Sequence, residues 1–108
     1  WIAQGEWGFA GYVVREGVTF PIRDIDHHAE YGDQMHQRRL RATLTDIAGV
    51  RTELELDVFG VIELPTHDRL QTVIREGACR AVIDGEEGAG QFETHWQGSY
   101  LDYLSGRA

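Results

Sequence analysis

The chain has 108 residues, 42% apolar and 26% charged, with 10 Arg, no Lys and 18 Asp and Glu, for a net charge of −8. That length suits a single domain, 1–108, with one core. The acidic balance argues against nucleic acid and anionic membranes as partners, because no basic face is present to neutralise phosphates.

The elements read as strands separated by Gly- and Asp-containing turns. Trp7 to Val14 is aromatic and β-branched, and Arg15-Glu16-Gly17 turns it into Val18 to Ile22. Pro21 lacks a ladder donor, which predicts an edge or a bulge there. Asp24 to Tyr31 alternates, with Ile25, His27, Ala29 and Tyr31 on one face and Asp24, Asp26, His28 and Glu30 on the other. After Gly32 to Met35, His36 to Thr45 places Leu40, Ala42 and Leu44 inward and Arg39, Arg41 and Thr43 outward. Asp46-Ile47-Ala48-Gly49 is a turn signal. Val50 to Val58 alternates most cleanly, so that Arg39 and Arg41 meet Glu53 and Glu55 across strands. Gly60 marks a bulge before Val61 to Leu64, and Pro65 to Asp68 breaks the strand. Leu70 to Ile83 is one long strand or two pieces divided at Gly77. The turn Asp84 to Gly88 leads to Ala89 to Trp96, and Gly98 to Leu104 forms a short helical turn.

Seven to eight hairpin-linked strands predict an all-β fold, an antiparallel up-and-down lipocalin-like barrel or half-barrel. No 12-residue window carries a helical apolar stripe free of Gly or Pro. No apolar run approaches the roughly 20 residues of a spanning helix. The lone Cys79 excludes an intrachain disulfide framework and reads as a small buried apolar residue. These features predict a cytoplasmic domain. The absence of Lys and Asn points to a GC-rich bacterial genome, and the opening Trp1 reads as the start of an excised piece with a missing N-terminal domain.

Small barrels hold a ligand in the lumen, so inward side chains are the candidates for function. Asp24, Asp26, His28 and Glu30 have the donor types of a divalent-metal site. Same-face neighbours lie about 6.5–7 Å apart along a strand, however, so ligation needs a second strand. A solvated outer face accounts for the same residues, and neither metal nor cofactor is assigned. His27, among apolar neighbours, is a candidate proton relay. Glu76 and Glu93 stand on adjacent predicted strands, and a carboxylate buried in an apolar lumen is raised towards a usable general acid. Glu93 alternates with Phe92, so at most one of the two faces inward. The proton-transfer candidates are therefore Glu76 or Glu93 as donor and His27 or His95 as relay, with Tyr12, Phe92 and Trp96 lining the pocket. Aromatic faces there suit a developing cation.

Four segments, Gly5-Glu6-Trp7-Gly8-Phe9, Pro21 to Asp26, Val73 to Arg80 and Asp84 to Glu93, resemble bacterial domains of unknown function. That group is related to the AttH and carotenoid-hydratase (CrtC-like) lipocalin-like proteins, and the resemblance spans roughly Gly5 to Trp96. It implies two lipocalin-like domains in one longer polypeptide, of which this is the C-terminal one. It also implies hydration, cyclisation or isomerisation of isoprenoid-like substrates, with Asp24, Asp26, Glu76, Gly77, Gly90 and Glu93 at the nearest matching positions.

Two readings stay open. In the first, the domain binds a small apolar, isoprenoid- or steroid-like molecule and adds proton-initiated hydration or isomerisation. In the second, it is a non-catalytic domain whose Trp1, Trp7, Tyr100 and Leu104 pack on a partner domain or a second copy in a homodimer.

Overall fold

Apolar and polar residues alternate over most of the chain, and each such run needs a hydrogen-bonded neighbour. In the computed structural model, which describes residues 2–5 and 8–106, seven strands supply one another in strict chain order. They are β1 (Ile2–Gly5), β2 (Gly8–Arg15), β3 (Val18–Tyr31), β4 (Gln37–Asp46), β5 (Arg51–Pro65), β6 (Val73–Ile83) and β7 (Glu86–Trp96). A 3-10 turn, Asp33–Met35, joins β3 to β4, and one helix, α1 (Gly98–Leu104), follows β7. Every pairing is antiparallel, and β1 and β7 form the two edges of a sheet curled into a half-barrel. Trp7, expected to open the first strand, and Trp1 lie outside the described residues.

The turns follow from residues that tolerate positive φ. Glu16 and Gly17 (φ 49° and 78°) close the β2–β3 hairpin, and Asp84 and Gly85 (φ 49° and 83°) close β6–β7. Two consecutive left-handed residues give the turn whose twist matches that of the flanking strands. The last turn is shorter than the sequence implied, because β7 already begins at Glu86. At the β4–β5 loop, the fully buried Asp46 accepts from the Ala48 and Val50 N–H groups at 2.8 and 3.2 Å through Oδ1. Its Oδ2 meets Arg15 at 2.6 Å. Burial alone would raise this carboxyl; the Arg15 guanidinium and the two N–H groups outweigh it and hold Asp46 below its ordinary value.

Among the described residues the ladders break register at three places, Ile22/Asp24, Glu30/Tyr31 and Val58/Gly60. β3 runs unbroken through Arg23 with a bulge between Ile22 and Asp24, and pairs first with β2 and then with β4. The bulge between Val58 and Gly60 falls where Gly60 predicted it. An extra residue inverts the faces of everything beyond it. Thr52, Leu54, Leu56 and Val58 therefore share the concave face with Val61 and Glu63, while Ile62 and Leu64 point outward.

Among the described residues, Ala42, Leu44, Cys79, Ala81 and Leu101 are the buried apolar ones. Burial pushes the Cys79 thiol up. Leu40, Leu54, Leu56 and Val58 stay half-buried because no second layer of described residues covers the concave face. The radius of gyration, 15.5 Å, exceeds the roughly 13 Å of a compact domain of this length. The convex face carries the cross-strand charges. Arg41 meets Glu55 at 3.2 Å, as expected, but the register sets Arg39 against Asp57 at 2.9 Å and gives Glu53 to the Thr43 hydroxyl, also at 2.9 Å.

Candidate functional site

The concave face is built in rows across the strands. His27, Ala42, Leu54 and Ile83 form one row; Ala29, Leu40, Leu56 and Ala81 form the next; Val58, Cys79 and Gly90 follow. Val61, Gly77 and Phe92 come after them, then Glu63, Arg75 and Thr94, and last Pro65, Val73 and Trp96. The floor is thus aliphatic through its middle rows and carries one polar row, Glu63, Arg75 and Thr94, just short of one end.

That end is capped. Tyr31 meets Trp96 edge-on with ring centroids 5.9 Å apart, and Tyr100 of α1 stacks with Trp96 at 6.0 Å. These contacts join the end of β3 to the end of β7 and draw the curl tight. Gln34 links the 3-10 turn to α1: its side-chain amide lies 2.9 Å from the Leu101 carbonyl oxygen and 3.2 Å from the Ser105 nitrogen, and the amide orientation that satisfies both turns its NH2 to the carbonyl.

Beneath the cap, a cleft of about 620 Å³ is lined by Gln34, Glu63, Pro65, Val73, Arg75 and Leu101, among others. Arg75 stands out: its side chain is 3% exposed, on the concave face of a strand otherwise small or apolar there. One terminal nitrogen donates to the Gln34 carbonyl at 2.5 Å, and the other lies 3.5 Å from Glu63, whose side chain is 48% exposed. Its Nε is buried without a hydrogen-bond partner, as are Thr94 Oγ1 directly across the ladder and Trp96 Nε1 one row on. At the cleft mouth, Asp68 accepts from the Thr72 and Leu70 N–H groups at 2.9 and 3.1 Å. The Thr72 backbone bond leads the effects that hold its carboxyl below the ordinary value.

The residues singled out from the sequence fall in three places. Glu76 and Glu93 are exposed and stand directly opposite one another on the convex face. The expectation that one of them is buried in an apolar lumen is therefore not met. The reason is phase: both lie one residue out of step with the concave set Arg75, Gly77, Phe92 and Thr94. His95 is on the same outer face, its Nε2 2.6 Å from a Glu93 carboxylate oxygen. His27 is on the concave face but exposed; the second hollow that it borders, of about 570 Å³, is lined mostly by outer-face residues, among them Asp26, His28, Arg41, Glu53 and Glu55. Phe92 and Trp96 do line the concave floor, half-buried. Tyr12 is exposed on β2, whose pairings are with β1 and β3, so it lies on the other arm of the sheet.

Sequence reasoning misses Arg75, Glu63 and Thr94 as site residues. A signal existed: Arg75 falls at the inward period of Gly77, Cys79 and Ala81, where an Arg is out of pattern. Among the described residues, no group of three or more His, Cys, Asp or Glu is placed to hold a metal ion, Asp24 to Glu30 included. Nor is any helix there long and apolar enough to cross a membrane.

No curated protein and no solved structure matches the chain. Residues 1–98 match the family DUF7064, a domain of unknown function, and on that coverage the chain belongs to the DUF7064 family.

Proposed function

We propose that this domain binds a small, largely apolar molecule against the concave face of its half-barrel. The observation that carries the reading is the uncovered floor: Leu40, Leu54, Leu56, Val58 and Phe92 line one trough, each only half-buried. Apolar area left in water on a concave surface stabilises a ligand at roughly 25 cal/mol per Å² covered. The sequence resemblance to AttH and the carotenoid hydratases supports an isoprenoid- or steroid-like molecule. His27 is the one member of the proton-transfer set on this face, and it is the group beside which hydration or isomerisation would proceed. Native mass spectrometry of the purified protein tests the reading. A co-purified hydrophobic molecule, or uptake of Nile red quenched by adding a competing lipid, is the expected result; no uptake of any apolar probe overturns it.

A second reading has its own support. The far arm of the sheet exposes Tyr12 and Val14 side by side on one face of β2. Packing against a partner domain or a second copy would cover them. In the same spectrum this reading predicts a dimer or a partner complex without small-molecule mass.

A further inference from the structure

We infer that the capped end of the trough is a carboxylate site, in which Arg75 exchanges Glu63 for the acid group of an amphipathic ligand. The inference rests on the proposed ligand-binding reading and adds the polar half of the ligand. A guanidinium carries five N–H donors, and taking it out of water is costly unless those donors find acceptors. Among the described residues, Arg75 engages only the Gln34 carbonyl and, loosely, Glu63, and its Nε has no acceptor. At 3.5 Å the Glu63 contact is too long for a strong hydrogen bond. Glu63 is also half in water. It holds the place of a better acceptor.

The surroundings select that acceptor. Val73, Pro65 and Leu101 make part of the wall apolar, and the aliphatic rows of the floor begin beyond Gly77. A ligand with its head at Arg75 thus lays its tail along Phe92, Val58 and Leu56. Asp68 and Asp102 also line the cleft, and the chain carries −8 overall. That field disfavours phosphates and other multiply charged heads and leaves a single carboxylate. A carboxylate also matches the planar fork of the guanidinium.

Competition against protein-bound Nile red, with dodecanoate and dodecanol at pH 7.5, tests this directly. Wild type is expected to prefer dodecanoate by roughly tenfold, about one charge-assisted hydrogen bond. Glu63→Gln removes the resident competitor from a half-exposed position, so it should widen the preference while leaving dodecanol unchanged. Arg75→Met should abolish the preference. Because Arg75 also ties down the cap, the Glu63 variant carries the test if Arg75→Met misfolds. Equal displacement by acid and alcohol overturns this inference and leaves apolar binding intact, as does a Glu63→Gln protein with an unaltered ratio. No Nile red binding at all overturns both.

Discussion

Gly77 is the position where a single methyl group tests the geometry most severely. It lies on the concave face between Cys79 and Arg75, opposite Val61 and Phe92, where the bulge tips the Gly60 carbonyl over the ladder. A Cβ there would sit 2.6 Å from the Phe92 ring and closer still to the Gly60 oxygen. Carbon atoms rest about 3.5–4.0 Å apart, so the β5 backbone must retreat by about an ångström. A ring can rotate away, but a bulge carbonyl is held by its strand. Overpacking costs about 1–3 kcal/mol, and a backbone obstacle puts Gly77→Ala at the upper end, about 2–3 kcal/mol. For a domain of this size that lowers Tm by roughly 10 °C. Gly88 provides the control. It faces the same side one hairpin arm away, opposite Ala81, and a Cβ added to it would meet nothing within 4 Å. Gly88→Ala is expected to be neutral or to stabilise by up to about 1 kcal/mol through the unfolded chain. Urea unfolding of both variants, with m-values compared, reads the difference. A Gly77→Ala protein within about 0.5 kcal/mol of wild type refutes the close approach, and with it the bulge register that directs Glu63 to Arg75.

Three further outcomes follow from the same contacts. Asp46 is held below its ordinary value when folded, so its contribution is full above the unfolded carboxylate pKa, near 4, and is lost as pH falls through the lower folded value. Thermal melts should therefore drop steeply below about pH 4, and Asp46→Asn should flatten that acid limb; an unchanged limb refutes the assignment. Glu76 and Glu93 face each other as like charges in the open. Glu76→Gln should raise stability by about 0.2–1 kcal/mol and leave Nile red uptake untouched, and a loss of uptake would return Glu76 to the site. Leu101 is 6% exposed and is the buried residue of α1. Leu101→Ala should cost about 2–3 kcal/mol and release the Trp96–Tyr100 stack, seen as a shift in Trp emission; a stable variant with unshifted emission refutes the cap.

What the sequence determined by itself is local. Alternation along Gln37–Asp46 and Arg51–Val58 assigns their faces, and Asp-Gly and Glu-Gly at hairpin positions, Gly60 at a bulge and the helical tail after Gly98 are all legible, because each depends on a few neighbouring residues. The all-β meander follows from their order. What only tertiary structure decided is phase and proximity. Beyond the bulge at Gly60 one extra residue reverses the inward set, so Val61 to Leu64 gives no sign that Glu63, and not Ile62, turns to the floor. Glu76 and Glu93 do fall on neighbouring strands as their spacing implies, yet their face depends on a register set by the Asp84-Gly85 turn. Arg75, Gln34, Trp96 and Tyr31 meet because the sheet curls, and curvature is a property of the whole sheet that no single strand encodes.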